Sequence, residues 1–252
     1  MGRWSNMPRM TRWVVRLLHP FLMRVTRRDW RGAEKLPSGG YVLAPNHISH
    51  LDPILISHFM VDHGVTPRFL AKDTLFDVAV VGRILRGAEQ IPVYRSTVGA
   101  AESLAAATQA VEAGQVVTIY PEGTITRDPA LWPMDGRTGA VRVALASGRP
   151  LVPLAQWGAQ DILWPYSKRL RFFPRKTVHV RVGDPVDLSD LAGQELTEKL
   201  LHEATDRLID ALTGLVSDIR GELPTGPRVD VRQLEKPRTN YQAPPTTSTE
   251  EH

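Results

Sequence analysis

The regular succession of short apolar runs and helical stretches restricts the fold more than any other feature of this chain. Runs rich in β-branched and aliphatic residues occur at 39–46 (GGYVLAPN), 66–72 (TPRFLAK), 89–95 (EQIPVYR), 115–123 (QVVTIYPEG), 149–158 (RPLVPLAQWG) and 176–185 (KTVHVRVGDP). Between them lie segments with helical character at 52–62, 76–87, 96–114 and 136–148, and a long amphipathic segment closes the series at 195–222. Buried strands alternating with helices predict an α/β fold, a mainly parallel sheet flanked by helices. Gly114 and Gly148 stand where two of the helices should stop. A chain of 252 residues can form one sizeable domain or at most two, and no internal repeat is visible. The expected organisation is a basic amphipathic segment over 1–30, a body over 31–221, and a disordered tail over 222–252, where Pro, Thr, Gln and Glu dominate.

Charge is concentrated at the start. Residues 1–35 carry nine Arg and Lys against Asp29 and Glu34, or +7, so the remainder sums to −3 of the total +4. A basic arm on a near-neutral body suits an anionic partner, nucleic acid or membrane. The arm interleaves its arginines with an i, i+4, i+8 stripe of Trp13, Leu17 and Phe21, flanked by Leu18, Leu22 and Val25. Such a segment can lie in a membrane interface with its arginines at the headgroups, or pack its stripe on the body. It is too short to span, because Arg16 and Arg24 leave seven residues between them where roughly 20 are needed. It also lacks the cleavage site of a signal peptide. No nucleic-acid-binding signature is present, so a peripheral position on the cytoplasmic face of a membrane is the expectation. The absence of cysteine excludes disulfides, thiolate metal sites and a cysteine nucleophile.

The stretch APNHISHLDP, residues 44–53, gathers two histidines and an aspartate where a strand should hand over to a helix. Asp52 before Pro53 reads as an N-cap. A metal site built from His47, His50 and Asp52 would need further ligands that no nearby motif supplies, so no metal is expected. The same residues suit proton transfer: Asp52, reaching back across the turn, can accept from His47 Nδ1–H, fix the tautomer and leave Nε2 as a general base. No GxSxG elbow accompanies them, so the attacking hydroxyl would belong to the substrate, as in direct acyl transfer.

Four ordered blocks extend this reading. NHISHLDP resembles the NHxSxxD (HX4D) block of the glycerolipid acyltransferase family, to which the 1-acylglycerol-3-phosphate acyltransferases belong. AKDTLFDVAVVGRILRGAEQIPVYR, YPEGTITRD and GRTGAVRVALASGRPLVPLAQWG resemble its second, third and fourth blocks, and the likeness covers roughly residues 25–190. The resemblance implies that His47 is the catalytic base and Asp52 its charge partner. It implies that Lys72 meets the acceptor's phosphate, that Glu122, Gly123 and Thr124 shape the acceptor site, and that Pro153 lies near the acyl donor. It further implies an acyl-CoA or acyl-carrier-protein donor, a lysophospholipid acceptor (lysophosphatidate first), a membrane phospholipid surface as partner, and no cofactor. One position departs: where the family's arginine follows threonine, this chain has Ile125, and its first arginine is Arg127.

Lys72, Arg95, Arg127 and Arg137 come from separate strand ends and loops. Together they can converge on a phosphomonoester or be solvated one by one. A second basic-aromatic stretch, residues 163–176 (LWPYSKRLRFFPRK), suits a membrane interface, the phosphates of coenzyme A, or a hairpin with its aromatics in the core. The rival of a different class is a non-catalytic lipid- or nucleic-acid-binding protein, for which an oriented base has no use.

Overall fold

The structure is a computed structural model that describes residues 6–94 and 97–230. Helix α1 (Arg9–Val25) leads into β1 (Thr26–Arg31), β2 (Tyr41–Pro45), α2 (Asp52–Asp62), β3 (Leu70–Lys72), α3 (Ala79–Gly87), β4 (Ile91–Val93) and α4 (Thr97–Glu112). The chain continues through β5 (Val116–Thr118), α5 (Gly139–Ser147), β6 (Leu151–Trp157), α6 (Ala159–Ile162), β7 (Lys176–Val182) and α7 (Glu198–Arg220). Five strands form one sheet in the order β1-β7-β6-β2-β5. The parallel pair β3–β4 is joined to it by a single parallel bridge, Phe69 to Thr118. The pairings are parallel except between β6 and β7.

Alternation along the strands builds a core on each face. In β2, Val42 and Ala44 face the layer of α4, α5 and α7, where they meet Val117, Val141, Leu201 and Leu208. Tyr41 and Leu43 face the opposite layer, with Ile56, Phe59, Val178 and Val180. Both faces are covered, so β2 is buried along its whole length and reads in sequence as a continuous apolar run. Gly40 at its start is required sterically, because a Cβ there would stand 1.9 Å from the Val111 carbonyl oxygen of α4. Helix α7 starts on a Thr197 Oγ1 cap that accepts from the Leu200 N–H, and α5 ends at Gly148 with φ 60°.

Two boundaries differ from expectation. The basic segment is not separate through residue 30, since β1 pairs with β7 from Thr26 to Arg31. Its polar pattern, TRRDWR, hides a strand because it is an edge, paired on one side only, where charged side chains are favoured. Asp29 there accepts from Arg181 and His179. Arg181, the stronger influence, holds the Asp29 carboxyl well below the usual carboxylate range. At the other end, residues 228–230 attach to the body while 222–227 are exposed: Arg228 is paired with Asp206 and Asp210, and the Val229 carbonyl accepts from the Asp135 N–H at 3.1 Å. The rest of the expected tail, 231–252, lies outside the described residues.

Helix α1 presents two faces. Leu22 and Val25 are buried, whereas Trp13 and Leu17 are 71% and 72% exposed and Phe21 is exposed beside them. The stripe read from the sequence therefore points away from the body. Pro20 sits inside the helix without ending it. Residues 163–176 form no hairpin; Trp164 and Phe172 pack against the core, Leu170 and Phe173 are exposed, and Phe172 meets Phe21 edge-on at 5.3 Å. No helix among the described residues is long and apolar enough to cross a membrane.

Candidate active site

The carboxyl ends of β2, β3 and β5 open on one cavity of about 1130 Å³, lined by His47, Lys72 and Tyr120 among others. This is where parallel α/β sheets present ligand sites. Val14, Leu18 and Leu22 of α1 and Ile84 and Leu85 of α3 make an apolar wall, and Lys72, Arg137 and Arg142 bring cations to it.

His47 follows β2 directly and is held at four points. Its Nδ1 is 2.7 Å from Asp52 Oδ2, its backbone N–H donates to Glu122 Oε1 at 2.8 Å, and its carbonyl accepts from the Thr126 N–H at 2.7 Å. Its ring stacks on Tyr120 with centroids 4.1 Å apart. With Nδ1 bound to the carboxylate, Nε2 is the nitrogen left for the cavity that His47 lines. One level below, Asn46 and Gln156 exchange side-chain and backbone bonds across the ends of β2 and β6, fixing the strand end from which His47 projects.

Asp52 is fully buried. It is the first residue of α2 and caps none of its N–H groups, a correction to the expected N-cap. Its carboxylate turns back instead: Oδ2 also accepts from the Ile48 and Ser49 N–H groups at 2.6 and 2.8 Å. Burial pushes its pKa up, and the His47 bond and the two backbone donors oppose that push. The donors favour the ionised form, the one that can stabilise an imidazolium beside it.

Glu122 forms no salt bridge among the described residues and takes backbone donors instead. It is fully buried, and its second oxygen accepts from the Met134 N–H at 3.1 Å. Burial pushes its pKa up to about 8. The carboxyl acts as a brace between the His47 loop and the segment before α5.

The cations separate. Lys72, Gly123 and Arg137 line the cavity, and Arg127, Thr124 and Pro153 do not. The departure at Ile125 accounts for Arg127. Ile125 is buried, its carbonyl accepts from Tyr166 Oη at 2.7 Å, and Thr126 is occupied with the His47 carbonyl and the Trp132 carbonyl. The loop is thus anchored inward through these two residues, and Arg127 follows beyond them with its N–H on Met134 Sδ. Arg137 stands at the glycine instead. Gly123 has φ +66°, and a Cβ on it would lie 2.8 Å from Arg137 Cδ. Pro153 is buried in β6 against Gly183. Arg95 lies outside the described residues. Two participants were missed in the sequence, Tyr120 under the imidazole and Arg142. The latter lines the cavity and is fixed by Nε to Thr138 Oγ1 at 3.1 Å; its place one helical turn beyond Thr138 was the available signal.

The fold and site are thus those of an α/β protein with a histidine–aspartate pair at the carboxyl edge of a mainly parallel sheet, beside a large apolar cavity with a cationic side. The Acyltransferase family model matches residues 27–157, over half of the chain, and the chain belongs to this family. It is 28% identical over 154 residues to a chloroplastic 1-acyl-sn-glycerol-3-phosphate acyltransferase of Brassica napus, covering 60% of this chain and 42% of that one. It is 31% identical over 129 residues to a probable 1-acyl-sn-glycerol-3-phosphate acyltransferase of Mycoplasma pneumoniae, covering 50% and 47%. The chain thus spans less than half the length of these relatives. The fold is similar to the crystal structure of the 1-acyl-sn-glycerophosphate (LPA) acyltransferase PlsC from Thermotoga maritima, with TM-score 0.61, 18% identity, and coverage of 85% of this chain and 83% of that one.

Proposed function

We propose that the protein transfers a fatty acyl group from an acyl thioester, acyl-CoA or acyl-carrier protein, to the free hydroxyl of lysophosphatidate, giving phosphatidate. The observation that carries the reading is the His47–Asp52 pair at 2.7 Å beside a cavity with an apolar wall and, at Lys72 and Arg137, two cations. His47 Nε2 takes the proton of the acceptor hydroxyl, and the oxygen attacks the thioester carbonyl. The tetrahedral intermediate collapses, the C–S bond breaks, and the imidazolium returns its proton to the departing thiolate. Asp52 stabilises the imidazolium between these steps. Lys72 and Arg137 offer charge-assisted bonds to the phosphate. An acceptor as small as glycerol 3-phosphate would leave most of about 1130 Å³ unfilled, which favours a lipid acceptor.

The reading includes a membrane surface. Trp13, Leu17, Phe21, Leu170 and Phe173 are exposed, and Phe21 contacts Phe172 while Arg175 donates to the Met23 carbonyl, so α1 and the 163–176 segment adjoin as an aromatic-basic surface. Such a surface suits peripheral binding to anionic lipid on the cytoplasmic leaflet.

The test is purified protein with mixed acyl-CoAs and lysophosphatidate, glycerol 3-phosphate and unphosphorylated acceptors, products read by mass spectrometry. Phosphatidate is the expected product, and His47→Ala should lower turnover roughly 10²–10⁴-fold with unchanged circular dichroism. A folded His47→Ala protein with near wild-type turnover refutes the mechanism, and acylation of another acceptor alone refutes the substrate.

A further inference from the structure

A second histidine–carboxylate cluster lies between α1 and α2, away from the His47–Asp52 pair. His19 Nε2 is 2.7 Å from Asp62 Oδ1, and His58 Nε2 is 3.8 Å from Asp62 Oδ2. The three ligand atoms all lie within 4.8 Å of one another, the one such grouping of His and acidic residues among the described residues. No local spacing reveals it, because 43 residues separate His19 from Asp62 and no ligand motif joins them.

The burial of His58 is what sets this apart from a surface pair. Its side chain is 2% exposed, and its Nε2 makes no hydrogen bond in the structure. Burying a polar nitrogen without a partner is unfavourable, so the site needs an account of why this nitrogen points at Asp62. Trp30 packs its ring edge-on against His58 at 5.0 Å and holds the imidazole in that orientation.

We infer that His19, His58 and Asp62 form a binding site for a zinc-class divalent ion that fastens α1 to α2. Two imidazoles and a carboxylate are the donor set of a borderline first-row ion, with a fourth position left for water or a ligand from the cavity. His19 and His58 line the cavity, which supplies an entry path. Metal–ligand bonds of about 2.0–2.2 Å require donor atoms roughly 3.3 Å apart in a tetrahedron. The largest separation of 4.8 Å must therefore close by about 1.5 Å, within reach of side-chain rotation on two packed helices. Arg28 Nη1 donates to Asp62 Oδ2 at 3.0 Å. Oδ1, now 2.7 Å from His19 Nε2, is the oxygen that would turn to the ion, and Arg28 is the kind of outer-shell partner that metal-bound carboxylates use. The guanidinium opposes a nearby cation, but it is on an exposed side chain, where water screens it. Histidine ligation must also release the His19–Asp62 hydrogen bond, an exchange of one contact for two coordinate bonds. The consequence concerns α1: its outward face carries Trp13 and Leu17, its inward face the cavity wall, and the ion would hold both in place.

The full chain, treated with chelator and exchanged into clean buffer, is titrated with Co²⁺ and followed in the visible region, then competed with Zn²⁺. The expected result is tetrahedral Co²⁺ absorption saturating at one ion per chain and abolished by Zn²⁺. Zn²⁺ at 100-fold over its Kd should raise Tm by roughly 5–10 °C. His58→Gln and His19→Ala should each weaken Co²⁺ binding at least 10-fold, the drop typical of a lost ligand or its support. His19 is only partly buried, so its variant stands if His58→Gln fails to fold. Absence of Co²⁺ absorption and of a Tm shift overturns the site and leaves a hydrogen-bonded network. Binding that survives in both variants places the ion elsewhere and overturns it equally.

Discussion

Glu122→Gln tests whether the buried brace behind His47 is a neutral acid. The side chains are isosteric, so packing is preserved. The amide oxygen can still accept the His47 N–H now bonded at 2.8 Å, but the amide NH₂ then faces the Met134 N–H, which donates at 3.1 Å in the parent. One buried acceptor is lost and two donors are opposed, a cost of roughly 1–3 kcal/mol. Against this stands the charge. The Glu122 pKa is raised by burial from 4.5 to about 8, so between those values the folded protein keeps a proton that the unfolded chain has released. Stability from this group is complete below pH 4.5 and is lost as pH rises through about 8. At about 1.4 kcal/mol per pH unit the loss approaches about 5 kcal/mol across that window. The glutamine variant has no such loss. It should therefore be the less stable protein at pH 5, by roughly 1–3 kcal/mol, and should draw level with or overtake the parent by pH 8. The assay is urea unfolding of both proteins at pH 5, 6, 7 and 8, comparing midpoints at matched slopes. Taking the difference cancels titrations common to both proteins. A difference that stays constant across the series would mean that Glu122 is ionised throughout, its charge carried by the two backbone donors alone, and the argument from burial would fail.

Arg137→Ala should raise the KM for a phosphorylated acceptor roughly 10- to 100-fold, the range of one charge-assisted bond, with little change in donor KM. Gly123→Ala should do the same without removing a charge, since its Cβ would meet Arg137 Cδ and Nε at 2.8 and 2.9 Å in a backbone with φ +66°; equal effects on phosphorylated and unphosphorylated acceptors would remove Arg137 from the phosphate site. The double change Trp13→Ser, Leu17→Ser should weaken sedimentation with anionic vesicles at least 10-fold while Tm stays within a few degrees, because both side chains are more than two-thirds exposed. Unchanged sedimentation would take α1 out of membrane binding.

Much of this architecture was legible because local signals and the sheet agree. Buried strands such as β2 and β6 read as apolar runs, and the glycines that end α4 and α5 adopt the positive φ their positions suggested. The pairing of His47 with Asp52 was also legible, since a helix start five residues on brings a carboxylate back over the turn. What escaped depends on contacts distant in sequence. β1 looked like part of a basic arm, and only its neighbour β7, about 150 residues on, makes TRRDWR a strand. Arg127 and Arg137 both read as candidate phosphate contacts, yet only Arg137 lines the cavity. Distance along a loop is a poor guide once two residues of that loop are used as anchors, and here Ile125 and Thr126 are. The attachment of Arg228 was not legible, because its partners Asp206 and Asp210 are displayed by α7.

Helix α1 links these observations. A single amphipathic helix on a water-soluble body buries one stripe and solvates the other. This one has Leu18 and Leu22 on the cavity wall while Trp13, Leu17 and Phe21 remain outside. Its arginines cannot account for that outer stripe, since charge alone needs no tryptophan. Exposed large apolar groups on a helix cost nothing to keep only where another apolar phase receives them. On the proposed reading that phase is the bilayer, and the helix is then the boundary between the lipid outside and the apolar cavity inside. An acyl chain passing from one to the other would exchange one apolar surface for another, with only the headgroup and its phosphate crossing to the cations. Fastening α1 to α2 at His19, His58 and Asp62 would hold that boundary beside the helix whose first residue orients His47. The lipid-facing surface and the general base would thereby share one rigid support, with the apolar route between them at a fixed width.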